Sequence, residues 1–304
     1  MIDFSSFSHL SKWIFKQESE IESIRSGVRD KALGLISNIV GPDHVPCLED
    51  EKWMISYFAY QLTRISKAKY VKHVVLESAL AIFNRFYIKR SALEYDPRYV
   101  IFTCLSLALK AEDCWKAFTV RDLLGDLPEL DPEKVFELEP KVCDGIDFSL
   151  FIFHSRDSIY WLKQECGRYL GPNFGSDTNT ESFNITKEIA IAAQFDCIYM
   201  YECPEILLLY TPAQIALAAF YQQCSVQYAT VLSVDQFMQR RIFNNDTERW
   251  ESAKIIICKI QTAYDSYKPY RKEIMSKEGR DRTDAILERF VAIYEKTKCN
   301  MNVD

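Results

Sequence analysis

The chain has 304 residues, a net charge of −6 and 48% hydrophobic residues, which excludes a disordered, collagen-like or fibrous protein. Its pI of about 5.5 argues against a general nucleic-acid binder, because phosphate contacts need a basic surface. Nine Gly and ten Pro are few helix breakers for this length, and this favours an all-α fold. No apolar run approaches the roughly 18 residues that a membrane span needs, so no membrane partner is expected.

Ten cysteines raise the question of disulfides. The chain contains no CxxC pair, and no signal peptide is recognised at its start. Most of the cysteines lie in apolar helical patterns, as Cys104, Cys143, Cys224 and Cys258 do. We therefore interpret them as reduced core residues of an intracellular protein.

Hydrophobic periodicity predicts helices along nearly the whole chain. Ser19 and Glu22 fit a capping box near the start of the first helix, and Thr211 and Gln214 fit a second one later. The helix that follows Pro97, with the sequence YVIFTCLSLAL, is apolar on nearly all sides and should be buried centrally. The predicted helices are 13–39, 49–66, 71–89, one from Asp96-Pro97, 120–124, one from Asp131-Pro132, 187–201, one from Thr211-Pro212, one from Asp246, and 271–298.

Helix starts recur at an offset of 115 residues. Pro97 and Pro212 have this separation, as do Asp131 and Asp246, and each of the four opens a helix. We interpret the pattern as two copies of a five-helix unit, and the polar stretch 171–184 as a loop insertion in the second copy. The predicted organisation is an N-terminal helix and linker over 1–48, repeats over 49–152 and 153–269, and a C-terminal helix over 270–304.

The sequence contains no recognisable catalytic or metal constellation. Its four His residues have no zinc-ligand spacing, and P-loop, GxGxxG, GxSxG and HExxH motifs are absent. We predict no cofactor, no metal and no catalytic residue, and therefore a binding protein rather than an enzyme. A helical metabolic enzyme whose pocket escapes a motif search stays an alternative.

Two charged residues stand out within the apolar helices. Lys110 ends the buried helix in LSLALK, where a cation complements the helix dipole and can extend outward. Glu139 lies in VFELEPK directly before Pro140, and its simplest interpretation is a surface acid beside a helix kink. Spacing alone therefore assigns both residues an ordinary structural role.

The duplicated unit resembles the cyclin box, through the segments VVLESALAIFNRFYIKR and DPRYVIFTCLSLALKAED and the helix that ends in IDF. In cyclins a Lys at the end of the third helix and a Glu nine residues before the aromatic of the fifth form a conserved pair. Lys110 and Glu139 fall on these positions, with Phe148 as the aromatic. SKWIFKQESEIESIR and LLYTPAQIALAA are similar to segments of the cyclin H group. The chain departs from the family pattern at Asn84, where many cell-cycle cyclins carry Asp, and at Pro140.

This resemblance implies a non-catalytic regulatory subunit that binds and activates a cyclin-dependent kinase, of the CDK-activating kinase and TFIIH type. Lys110 and Glu139 are then expected to contact the kinase. Further partners implied are a RING-finger assembly factor and TFIIH, in the nucleus, with no direct nucleic-acid contact. Two alternatives stay open: a cyclin C type with another kinase, and a TFIIB-like promoter-binding factor, which would need a basic DNA-facing surface.

Overall fold

The structure is a computed structural model that describes residues 7–37, 39–41, 44–125, 130–171, 179–229 and 232–301. Within these ranges the chain forms fourteen α-helices and one π-helical turn, and it contains no strand. The predicted all-α fold is confirmed. Among the same residues, no helix combines the length and the apolar character that crossing a lipid bilayer requires.

The chain divides into two compact units, Met1–Ile152 with Lys268–Asp304 and Phe153–Tyr267. Helix α13 begins in the second unit and ends in the first. The helices of the first unit are α1 (Ser8–Ser11), α2 (Glu18–Ile36), α3 (Leu48–Ala68), α4 (His73–Lys89), α5 (Pro97–Ala111), α6 (Val120–Leu124), α7 (Pro132–Gly145) and α14 (Lys277–Met301). The second contains α8 (Ser155–Leu170), α9 (Asn179–Glu202), α10 (Pro204–Leu209), α11 (Pro212–Gln227), α12 (Val234–Phe237) and the π-helical turn Met238–Ile242, followed by α13 (Thr247–Met275).

Helix α5 is the centre of the first unit. Asp96 caps it by accepting a hydrogen bond from the Arg98 backbone N–H (3.0 Å), and Pro97 takes the first helical position. Every residue from Tyr99 to Leu109 is buried, and α5 packs against α3, α4, α6 and α7. A helix that is apolar all round needs such enclosure, and its first exposed position is Lys110.

Helix α11 has the corresponding place in the second unit, where it packs against α8, α9 and α12. It begins at Pro212, and the predicted capping box at its start is confirmed, because Gln214 N donates to Thr211 Oγ1 (3.3 Å) and Gln214 Oε1 accepts from Thr211 N (2.9 Å). The helices that the sequence placed at Pro97 and Pro212 both start there.

Three sequence-based expectations are wrong. Helix α2 starts at Glu18 with Gln17 as its cap, so the Ser19 capping box does not form; Glu22 instead makes ion pairs with Arg25 and Lys52. The stretch 171–184 is only partly a loop. Its residues 172–178 lie outside the described part, but α9 already begins at Asn179.

The third wrong expectation is a single helix over 271–298. Helix α13 continues to Met275, and α14 starts anew at Lys277 after a break at Ser276. Ser276 Oγ accepts a hydrogen bond from Gly279 N (2.9 Å), as an N-cap does. A Cβ at Gly279 would lie 2.1 Å from the carbonyl oxygen of Glu273, so this close approach requires glycine.

Both terminal helices of the first unit attach to the start of α3. The Arg29 guanidinium of α2 donates to the buried Glu51 carboxylate (2.5 Å), which also accepts from Ala92 N (2.7 Å). From α14, Arg289 donates to Asp50 (2.9 Å) and Tyr294 donates to the Ala92 carbonyl (2.5 Å). The buried carboxylate is therefore paired and hydrogen-bonded, as its burial requires.

We predict that Gly279→Ala destabilises the protein by about 1–3 kcal/mol, because the added methyl forces the helix junction apart. Urea unfolding followed by circular dichroism measures the effect. The matched control is Gly27→Ala in α2, where a Cβ meets nothing within 4 Å and alanine should stabilise the helix by about 0.5–1 kcal/mol. Equal unfolding midpoints for the two variants would contradict the close approach at Gly279.

Candidate functional site

The two residues singled out in the sequence lie together on the surface of the first unit. Lys110 Nζ is 2.6 Å from both carboxylate oxygens of Glu139, and Ser106 Oγ donates to Glu139 Oε1 (2.8 Å). The Lys110 side chain is 50% exposed and that of Glu139 is 17% exposed. The pair is therefore an ion pair with one half-open cation and one largely covered carboxylate.

The packing of α7 on α5 creates this geometry. Thr103 Oγ1 donates to the Val135 carbonyl (3.3 Å) and Lys134 Nζ to the Tyr99 hydroxyl (3.4 Å), so the first turn of α7 is fixed beside the first half of α5. Seven residues of helix after Pro132 then bring Glu139 level with the end of α5, where Lys110 leaves the core.

Pro140 does not interrupt this arrangement. Helix α7 continues from Pro132 to Gly145 with Pro140 inside it. A proline in a helix removes one N–H, here the one that would reach the carbonyl of Phe136. Both Phe136 and Pro140 are exposed, so the carbonyl that lacks its helical partner lies on the exposed side of α7.

Apolar groups flank the ion pair. Phe136, Glu139, Pro140 and Cys143 have the i, i+3, i+4, i+7 spacing of one helix face, and the Phe136 ring is 45% exposed. An exposed aromatic beside a pre-positioned charge pair is typical of a protein-binding surface. Within the described residues, no group of three or more His, Cys, Asp or Glu side chains has a geometry that would hold a metal ion.

Comparisons with known proteins find cyclins among the similar sequences. No protein-family model matches the chain. It is 25% identical over 220 residues to cyclin mcs2 of Schizosaccharomyces pombe, covering 68% of this chain and 67% of that protein. It is also 25% identical over 182 residues to Cyclin-C1-1 of Arabidopsis thaliana, covering 57% and 64% of the two chains. The chain thus spans about two thirds of the length of these relatives.

The curated relatives that the chain resembles are cyclins. The fold of this chain is shared with a chain of the CAK complex of Chaetomium thermophilum bound to ATP-gamma-S, with a TM-score of 0.74, 18% identity, and coverage of 95% of this chain and 88% of that one. The resemblance drawn from the sequence is therefore confirmed.

The sequence did not identify two groups at this site. Ser106 donates to Glu139 and stands four residues before Lys110, so the spacing of one helix face was the signal that could have found it. Phe136 was also missed, since an exposed aromatic gives no signal in the sequence. Of the cysteines predicted to be core residues, Cys104 and Cys224 are buried, Cys143 is half-buried beside the pair, and Cys258 is exposed, which corrects that prediction.

Cys143 reports on the ion pair. Burial raises the pKa of its thiol, the Glu139 carboxylate raises it further, and the Lys110 ammonium lowers it. Glu139→Gln should therefore lower the pKa of Cys143 and increase its alkylation rate near pH 8 by about threefold, because the thiolate is the reacting species. Lys110→Met should raise that pKa and slow the reaction.

Peptide-resolved mass spectrometry after timed alkylation measures this effect. Cys258, exposed on α13, is the internal control and should react at the same rate in all variants. If Cys143 and Cys258 keep a constant rate ratio in both variants, the pair is not formed in solution.

Proposed function

We propose that this cyclin is a non-catalytic regulatory subunit that binds and activates a cyclin-dependent kinase of the CDK-activating kinase type. The observation that carries the proposal is the Lys110–Glu139 pair at the junction of α5 and α7, on the positions that the family resemblance assigns to kinase contact. A carboxylate accepts and an ammonium donates, so the pair can bind backbone N–H and carbonyl groups of a docked helix.

The mechanism is stabilisation of one state of the kinase. A kinase needs the Glu of its C-helix to reach the Lys of strand β3 before phosphoryl transfer. The face of α5 and α7, with Phe136 beside the charges, would bury that helix and fix its orientation. Differential affinity for the active state of about 5.5 kcal/mol would shift an equilibrium from 1:99 to 99:1. The chemistry then belongs to the kinase.

The wider partners follow from the cyclin H resemblance. A RING-finger assembly factor and TFIIH would complete the assembly, in the nucleus. Support comes from the fold shared with a chain of a CAK complex. In this scheme the repeat over 49–152 binds the kinase, and the repeat over 153–269 and the terminal segments 1–48 and 270–304 serve the other contacts.

A cyclin C type of function is the second candidate, because one relative is named Cyclin-C1-1. Such a protein would activate a different kinase through the same surface. Purification of the endogenous protein and identification of the kinase that accompanies it separates the two candidates.

Charge reversal tests the assigned contacts. We expect Lys110→Glu and Glu139→Lys each to weaken kinase binding by about 2–5 kcal/mol, since each leaves a desolvated partner group unpaired. Titration calorimetry with the copurified kinase measures the loss, and thermal melting verifies that the variants are folded. The matched control is Lys254→Glu, which changes a cation paired with Asp235 (3.4 Å) in the second unit and should bind normally.

The double variant Lys110→Glu with Glu139→Lys separates two roles. It restores an ion pair between α5 and α7 but reverses its direction. If the charges contact the kinase, the double variant binds as weakly as the single ones. Recovery of normal binding would show that the pair only joins two helices, and would overturn the assigned contacts.

A further inference from the structure

One end of the first unit carries a surface of exposed basic and aromatic side chains that does not include Lys110 or Glu139. It is formed by the turn after α3 and the segment that follows α5, and we call it the basic–aromatic end. Its exposed side chains are Lys67, Tyr70, Lys72, Trp115, Lys116 and Arg121.

Two contacts hold these segments together. Lys72 Nζ lies 3.6 Å from Cys114 Sγ, and Lys69 Nζ donates to the backbone carbonyl of Asp122. Tyr70 follows Lys69 directly and Trp115 follows Cys114 directly. The two aromatic residues therefore belong to one continuous surface. Each has an adjacent lysine in the sequence, Lys69 before Tyr70 and Lys116 after Trp115.

Tyr70 has an unfavourable backbone conformation. Its φ is 56°, in the left-handed region where glycine is the usual residue, and it follows the last turn of α3 with Val71 N bonded to the Ser66 carbonyl (2.8 Å). A side chain in this conformation costs free energy. The ring is 93% exposed, so packing within the chain returns almost nothing. Strained residues of this kind cluster at functional sites.

The charge of this end contrasts with that of the whole chain, which is −6. Among the described residues of the two segments, 67–72 and 112–125, the acids are Glu112, Asp113 and Asp122. The Glu112 carboxylate accepts a hydrogen bond from Ser78 Oγ (2.6 Å). The Asp122 carboxylate accepts hydrogen bonds from the side chain and the backbone N–H of Thr119 (2.8 Å to the N), and these bonds lower the pKa of Asp122. Against these three stand the five cations Lys67, Lys69, Lys72, Lys116 and Arg121.

We propose that the basic–aromatic end binds an acidic segment of a partner protein that is rich in Asp and Glu. Spaced lysines offer point charges for carboxylates and phosphates, and the rings of Tyr70 and Trp115 offer apolar area at low entropic cost. The exposed Asp113 and the acidic balance of the chain disfavour a uniformly charged nucleic-acid backbone. This inference does not depend on the identity of the kinase.

Fluorescence anisotropy with the full chain tests the proposal. The probes are a short Asp/Glu-rich peptide with two leucines, the same peptide with phosphoserine at half of its acidic positions, its Lys/Arg counterpart, and a single-stranded RNA. We expect the Asp/Glu-rich peptide to bind without phosphorylation, with an affinity that falls as salt is raised. The double variant Lys72→Glu with Lys116→Glu should weaken that binding about tenfold or more.

Tyr70→Gly is the decisive variant, because it separates binding from folding. This variant should lower the affinity for the Asp/Glu-rich peptide about tenfold. Its melting temperature should stay constant or rise, because glycine adopts the left-handed conformation without strain. Tyr70→Asn, also tolerated in that conformation, provides a second variant with an ordinary side chain. The matched control is Phe148→Gly, at φ 54° and 70% exposed after α7, which should keep peptide binding.

Three results would overturn the proposal. The Asp/Glu-rich peptide does not bind, whether or not its phosphorylated form does; it binds equally well to the wild-type protein and to the Tyr70 and lysine variants; or the RNA binds with the same dependence on Tyr70 and the lysines while the peptide does not. The last result would assign this end to nucleic acid. None of these results bears on the Lys110 and Glu139 variants, so the two proposals fail independently.

Discussion

The enclosure of α5 is the constraint on which the first unit depends. A helix with no polar side must be covered on every side, and the residues from Tyr99 to Leu109 are buried by α3, α4, α6 and α7. This requirement places α7 against α5 and so decides where Glu139 lies. Lys110 is the first exposed residue after the buried part of α5. The site is therefore a consequence of how the core closes, and its side chains sit on elements that cannot move without opening that core.

Attachment of the terminal helices follows from a second constraint, the burial of Glu51. A carboxylate removed from water needs several donors, and here they come from Arg29 of α2, Ser91 and Ala92. The segment that holds Ala92 leads directly into Asp96, the cap of α5. Tyr294 of α14 donates to the same Ala92. Packing of α2 and of α14 is thus joined to the start of α5, the helix that ends in Lys110, and a change in either terminal helix acts on the segment before α5.

The sequence predicts those parts of the fold whose cause is local. Proline and a cap oxygen at Pro97 and Pro212 start helices by geometry alone, and both helices begin there. Prediction from the sequence fails where a contact with another part of the structure determines a helix cap or a helix end. Glu22 satisfied a capping pattern but pairs with Arg25 and Lys52. The break at Ser276 depends on the approach of Gly279 to Glu273, which periodicity does not register. At the site, Lys110 and Glu139 stood out as charges within apolar helices, and only the family resemblance assigned them a binding role. Ser106 could have been found from the helix spacing, whereas Phe136 could be recognised only from its exposure in the structure.

The partial exposure of the Lys110–Glu139 pair suits it to binding. An exposed ion pair contributes little to stability, because water competes for both charges. When a partner covers the site, the local dielectric falls and each hydrogen bond to the charges strengthens. Ser106 donates one hydrogen bond to the Glu139 carboxylate and Lys110 donates to both of its oxygens, so both charged groups are held in place before a partner binds. The pair therefore contributes little to the folding stability of the free chain. Its charges contribute mainly to the stability of a complex in which a partner covers them.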